Sequence, residues 1–161
     1  MHYDLKAANI LTTKTGNVRL SDFGISLHLR SMMERKVDGV PVSPNWMAPE
    51  VIELKKASTK SDIWSLGCTI IELLTGRPPY SKIANGMSSW FLPFSYVFPS
   101  LKYFLVMRRI VEDTMPPIPE GCSELLQDFL VQCFHKDPVQ RPSADALRGH
   151  PWIKKVGIPT T

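Results

Sequence analysis

Apolar residues fall at helical spacing through the middle of the chain. Ile63, Leu66, Ile70, Leu73 and Leu74 predict a helix from Thr59 to Gly76. Ser58 or Thr59 can cap its start, Gly76 stops it, and Pro78-Pro79 forbids its continuation. Apolar residues lie on nearly every side of this segment, as a helix buried in the centre of a domain requires. A second amphipathic helix is predicted from Ser123 to Phe134, with Leu125, Leu126, Phe129, Leu130 and Cys133 as its stripe. Ser143 caps a short helix over Ala144 to Arg148 that closes at Gly149, and His150-Pro151-Trp152 opens a last turn. Near the start the pattern changes. Ile10-Leu11 and Val18-Arg19-Leu20 flank a polar Thr-Lys-Thr-Gly-Asn turn, which predicts a short hairpin. Ile25 to Asn45 has no sustained period and reads as a mobile loop, and Ile158 to Thr161 as a frayed tail. The chain is therefore expected to be mainly α, α+β overall, with its strands near the N-terminus.

One stretch departs from its surroundings. Ser88 to Val106 carries Trp90, Phe91, Phe94, Tyr96, Phe98, Tyr103 and Phe104, with Lys102 as its only charge. Three readings compete. A membrane helix needs about 20 apolar residues, a length this run approaches, but Pro93 and Pro99 would break it. A docking insert fits the rule that exposed aromatic patches mark interaction sites. A translated intron would contribute nothing to the domain and would harm its solubility. The two prolines place the start of the following helix near Met107.

A length of 161 residues is that of one domain and allows a proper core. The formal net charge of +4 is mild, and no basic run is interleaved with aromatics, which argues against nucleic acid as a partner. Cys68, Cys122 and Cys133 lack metal-ligand spacing and are odd in number, so a reducing, cytoplasmic setting fits best. Cys68 and Cys133 fall in apolar helical patterns, where a thiol acts as a small hydrophobe.

The chemistry is concentrated at the start. Asp4, Lys6, Asn9 and Asp22 are the kinds of group needed to move a phosphoryl group. A carboxylate can orient an attacking hydroxyl, and a lysine two residues on can neutralise a transferring phosphate. The amide oxygen of Asn9 and the carboxylate of Asp22 suit magnesium, a hard cation that prefers oxygen ligands. The predicted hairpin would fold Asp22 back towards Asn9.

His2-Tyr3-Asp4-Leu5-Lys6-Ala7-Ala8-Asn9 resembles the catalytic loop of eukaryotic protein kinases, and Asp22-Phe23-Gly24 resembles their magnesium loop. Met47-Ala48-Pro49-Glu50, Ser61-Asp62-Ile63-Trp64-Ser65-Leu66-Gly67 and Pro138-x-x-Arg141-Pro142 resemble later motifs of the same family, in the same order. Lys6 favours serine/threonine specificity. Asn45 to Leu54 is similar to the sterile-type kinases, and Ala57 to Thr69 and Thr75 to Tyr80, with Arg109 to Asp113 and Pro116 to Pro119, are similar to the fungal septation-initiation kinases. The resemblance implies a kinase-like large lobe over 1–155, interrupted by the apolar run at 88–106 and followed by a tail at 156–161. It implies ATP and Mg²⁺ as cofactors and a protein substrate, another kinase among the candidates, with a regulatory protein partner and no membrane attachment. Asp4 and Lys6 would be catalytic, Lys6, Asn9 and Asp22 would bind the nucleotide, and Asn9 and Asp22 would hold the metal. Asp62 would accept backbone N–H groups of the catalytic loop, while Glu50 and Arg141 would form a buried ion pair.

The chain also departs from the family. The smaller lobe that supplies a Gly-rich phosphate cover, a strand lysine and a helix glutamate is not found. The resemblance therefore implies an N-terminal lobe that is absent, and a 161-residue chain that binds Mg-ATP poorly by itself. Residue 2 already lies in the catalytic loop, so no signal peptide is expected. A catalytically silent binding module is the alternative function. Tyr3 stands where the family usually has an arginine that grips a loop phosphate, so either that grip is lost or Tyr3 packs beside the loop. Ser43 would serve as the substrate platform, with Val40 to Val42 added before it. Deleting Ser88 to Val106 would join Asn85-Gly86-Met87 to Met107-Arg108-Arg109 and restore an uninterrupted family-like text, which favours the intron reading.

Overall fold

Residues 1–23, 44–85 and 99–155 are described by the structure, a computed structural model. The expected loop as far as Ser43, the added Val40 to Val42, residues 88–98 of the apolar run and the tail at 156–161 lie outside the described residues. The chain opens with the loop at 2–9, which ends in a 3-10 turn over Ala7–Asn9. Strands β1 (Ile10–Thr12) and β2 (Val18–Leu20) then pair antiparallel with Ile10 opposite Leu20. Gly16, at φ 80°, gives the connecting turn a left-handed residue that a glycine adopts without steric cost. Leu11, Val18 and Leu20 are exposed, so the hairpin lies on the surface as a two-stranded sheet.

A 3-10 turn over Pro44–Trp46 leads into α1 (Pro49–Ile52) and then the long helix α2 (Thr59–Thr75). Ser58 caps α2 reciprocally: its hydroxyl accepts Lys60 N–H, and Ser61 Oγ accepts Ser58 N–H, each at 3.2 Å. Gly76 ends the helix in the left-handed conformation at φ 70°. The helix is central, but not to its last residue. Ile63, Trp64, Cys68 and Ile71 are buried, whereas Leu73 and Leu74 are 66% and 52% exposed. The apolar surround read from the sequence therefore ends one turn early, where α2 emerges from the domain.

Helices α3 (Ser81–Asn85), α4 (Pro99–Glu112), α5 (Glu124–Cys133), α6 (Ala144–Arg148) and α7 (Pro151–Lys155) complete the described chain. One core joins Trp64 and Cys68 of α2 to Val106 and Ile110 of α4 and Leu130 of α5. A second joins Ile63 to Phe129, Cys133 and Leu147. Burial pushes the Cys68 thiol well above its usual range and that of Cys133 up to about 12, so both are neutral, inert hydrophobes.

Helix α4 corrects the boundary drawn at Met107. It starts at Pro99, since a proline at the first helical position lacks only an N–H that would have no intrahelical partner. Residues 99–106, read as foreign to the domain, are thus its first turns, and Val106 is 1% exposed in the main core. Tyr103 and Phe104 face outward. At the other end of α4, Lys136 Nζ donates to the carbonyls of Ile110 and Val111, supplying partners to a helix C-terminus that lacks its own.

Gly67 allows α2 and α5 to approach closely. A Cβ at this position would lie 2.8 Å from two ring atoms of the buried Phe134 and 3.0 Å from Cys133 Cβ. Gly67→Ala is expected to lower stability by about 1–3 kcal/mol through overpacking, against a helix-propensity gain of about 1 kcal/mol. Denaturant melts check the sign. A higher midpoint would show that the Phe134 ring yields freely.

Candidate active site

One face of α2 holds the N-terminal loop. Asp62, Ser65, Thr69 and Glu72 recur at helical spacing and form a polar stripe on a helix otherwise packed with apolar groups. Asp62 accepts the backbone N–H of His2 at Oδ2 and that of Tyr3 at Oδ1, both at 2.8 Å. Tyr3 needs this support, because its φ of 69° is left-handed and strained for a bulky L-residue. Ser65 Oγ donates to Trp46 O at 2.7 Å. Thr69 Oγ1 lies 3.4 Å from Leu5 O, but its single proton is better placed towards Ser65 O at 2.7 Å. Glu72 Oε2 accepts both the Ala7 N–H at 3.0 Å and the Trp46 indole N–H at 2.9 Å.

On this rail the loop brings three of the four expected reaction groups into one cluster. Asp4 Oδ2 pairs with Lys6 Nζ at 2.8 Å and accepts from Asn9 Nδ2 at 3.0 Å. Asn9 Nδ2 also donates to Asp4 O at 2.8 Å, so the buried amide fixes both the backbone and the side chain of Asp4. Asp4 and Lys6 side chains are only 21% and 26% exposed, a level at which solvent still reaches them. The pair therefore adds little stability and is better understood as orientation.

His2 connects this cluster to Asp22. The buried imidazole has Nε2 2.8 Å from Ser21 O, where it donates, leaving Nδ1 to face the Asp4 N–H at 3.4 Å. Its ring meets Phe23 edge-on at 4.7 Å. Ser21 is fastened to Asn9 as well, its N–H donating to Asn9 O at 2.9 Å. The hairpin thus returns the chain to Asn9 immediately before Asp22, whose exposed carboxylate sits on a left-handed residue at φ 61°.

The donor set suits a magnesium ion bound partly by substrate phosphates. With Nδ2 directed at Asp4, Asn9 keeps its amide oxygen as a hard ligand, and Asp22 supplies a carboxylate. Among the described residues there is no cluster of three or more acidic, histidine or cysteine side chains that would cage a metal. Magnesium does not need one, because it is usually bound by one or two carboxylates together with phosphate oxygens.

Glu50 and Arg141 meet away from this cluster in a buried bidentate pair, Nη1 to Oε1 at 2.9 Å and Nη2 to Oε2 at 3.0 Å. Ser61 Oγ donates to the same carboxylate at 2.8 Å, and Arg141 also reaches the carbonyls of Lys60 and His135. The pair joins α1, the start of α2 and the segment before α6. Ser43 lies outside the described residues. Trp46, Ser65 and Thr69 lie inside the quoted motif runs but receive no role from them, and neither does Glu72. The spacing of the polar residues within an apolar helix is the available signal.

Residues 1–153 match the protein kinase domain family. Among similar proteins, the cytokinesis protein sepH of Emericella nidulans is 50% identical over 153 residues, covering 95% of this chain and 10% of that protein. Cell division control protein 7 of Schizosaccharomyces pombe is 45% identical, over 95% of this chain and 12% of its own. MAP3K epsilon protein kinase 1 of Arabidopsis thaliana is 46% identical, over 96% and 10%. The chain spans about a tenth of the length of these curated relatives. With the match covering nearly all of its length, the chain belongs to the protein kinase domain family.

Proposed function

We propose that this chain carries the reaction centre of a serine/threonine protein kinase, which transfers the γ-phosphoryl group of ATP to a serine or threonine hydroxyl of a protein. The observation that supports it best is the Asp4–Lys6–Asn9 cluster, in which one carboxylate oxygen is held by a lysine and an amide. Asp4 Oδ1 is then the oxygen available to a substrate hydroxyl. As that hydroxyl attacks phosphorus, the bond to the β,γ-bridging oxygen breaks, ADP leaves, and the hydroxyl proton passes to Asp4. Lys6 offsets negative charge on the transferring group. Asn9 and Asp22 would hold magnesium, which when bound neutralises charge on the phosphate oxygens. Most of the rate enhancement then comes from positioning and electrostatics.

Ser43 belongs to this reading as the residue on which the substrate backbone rests. A protein substrate that is itself a kinase, in a signalling cascade, is supported by the MAP3K name of one relative. No described helix is long and apolar enough to cross a membrane.

The test is transfer of labelled γ-phosphate by the intact protein that contains this chain, with and without Mg²⁺, to serine- and threonine-containing acceptors. Mg²⁺-dependent phosphoserine or phosphothreonine is expected, and Asp22→Asn should weaken both transfer and Mg²⁺-dependent nucleotide binding. Nucleotide binding without transfer to any acceptor would favour the silent binding module instead.

A further inference from the structure

We propose that His150 is a proton-sensitive latch between α5 and the last turn of the domain: an added proton breaks its bond to α7 and strengthens its bond to α5. The inference goes beyond the kinase reading and stands without it. His150 immediately precedes α7, and its carbonyl accepts the first helical bond, from Lys154 N–H at 3.1 Å. The side chain is only 5% exposed, and both ring nitrogens are engaged. Nδ1 lies 3.1 Å from the Trp152 backbone nitrogen, and Nε2 lies 2.8 Å from Asp128 Oδ2. A backbone N–H can only donate, so Nδ1 accepts, while Nε2 carries the ring's proton and donates to Asp128. The imidazole thus caps α7 as a serine or aspartate side chain commonly does. Its acceptor, however, is a basic nitrogen.

That nitrogen is where a second proton binds. Once it does, Nδ1–H faces Trp152 N–H, and two donors cannot share a bond. Either the ring or the helix start must give, and the far side of the ring decides which. Charge on the imidazole strengthens its bond to the Asp128 carboxylate, which Gln132 Nε2 also holds at 3.0 Å. Phe129 meets the ring edge-on, with centroids 5.2 Å apart. Helix α7 is five residues long and rests on Phe129 through Trp152 at 4.9 Å, so it is the part that yields. Helices α5 and α6 pack against it. Their charged groups are Glu124, Asp128, Asp145 and Arg148, and α7 itself carries Lys154 and Lys155. Acids and bases balance in this set, so the carboxylate in contact, that of Asp128, governs the ring. Because Trp152 packs against both buried cores, release of α7 loosens an edge of each.

The experiment is hydrogen–deuterium exchange of the intact protein at about pH 8 and about pH 5.5, on either side of the ordinary charge change of an imidazole. Mass spectrometry reads residues 150–155, with correction for the intrinsic pH dependence of exchange. Protection there should fall at the lower pH by about threefold to thirtyfold, the range for loss of one helix cap. His150→Asn, whose amide oxygen caps a helix without titrating, should keep the same protection at both. Asp128→Asn changes a side chain that is 60% exposed, keeps an acceptor for Nε2 and removes the charge. In a pH series its fall should therefore begin at lower pH than in the unaltered protein. Equal protection at both pH values in the unaltered protein, or a fall that persists in His150→Asn, would overturn the latch. Should His150→Asn not fold, the Asp128→Asn series decides in its place, and a fall at unchanged or higher pH would overturn the proposal.

Discussion

Asp4→Asn is expected to lower phosphoryl transfer to a protein acceptor by a factor of about 10²–10⁴, the usual contribution of a positioned base. The substitution is nearly isosteric, so the comparison isolates chemistry. Asp4 Oδ2 receives Lys6 Nζ and Asn9 Nδ2, and an amide oxygen placed there could still accept both. The amide nitrogen would then occupy the position of Oδ1, presenting a donor where the substrate hydroxyl needs an acceptor. Lys6 would keep a neutral acceptor in place of its anionic partner. The fold should be unaffected, because Asp62 and Glu72 hold the loop through the main chain of His2, Tyr3 and Ala7. Steady-state kinetics with a thermal melt beside them test both halves. Turnover above about a tenth of the original, with an unchanged melt, would remove Asp4 from the role of base.

Arg141→Met should be the most damaging single change to stability, at about 3–5 kcal/mol, the cost of leaving a buried charge without its partner. Arg141 is fully buried, and its loss strands the Glu50 carboxylate together with the carbonyls of Lys60 and His135. Glu50→Gln should cost less, since Arg141 keeps those carbonyls and the new amide oxygen would still accept from Ser61. The pair also gives a pH signature. Burial pushes the Glu50 carboxyl up, but the hydrogen bonds and charge of Arg141, helped by Ser61, outweigh it and hold the carboxyl below its usual range. A group whose pKa is lower folded than unfolded contributes stability that is complete above the unfolded value of about 4.3 and is lost as pH falls through the folded one. The unaltered protein should therefore lose stability below about pH 4 more steeply than Glu50→Gln, a difference readable from melts at stepped pH. Parallel curves would show that the pair does not drive acid unfolding.

Local rules make much of this architecture legible. The Ser58 cap, the Gly76 stop and the hairpin around Gly16 each follow from a few adjacent residues, and each stands where the sequence puts it. The start of α4 is harder to read, because a proline forbids a helix only from its interior. Pro99 stands at the first position, which periodicity without caps does not reveal. Leu73 and Leu74 mislead because apolar spacing says which side of a helix is greasy and not where the domain stops covering it. In the proposed reaction centre, Asp4, Lys6 and Asn9 are near in sequence, so their convergence can be anticipated. Glu72 cannot be read in that way. Its partners, Ala7 and Trp46, come from two distant segments, and only the folded chain brings them to one oxygen.

Among the described side chains of α4, the buried ones begin at Val106. Val106 and Ile110 are sunk in the core, Lys136 closes the carbonyls of Ile110 and Val111, and Arg109 pairs with Asp113 at 3.2 Å. Its beginning is a proline that demands no hydrogen-bond partner, followed by outward-facing Tyr103 and Phe104. A helix that opens on proline gives up no backbone hydrogen bond of its own when the chain ahead of it changes, because the N–H that could be lost is already missing. The cost of moving α4 is carried instead by Val106 and Ile110 in the core.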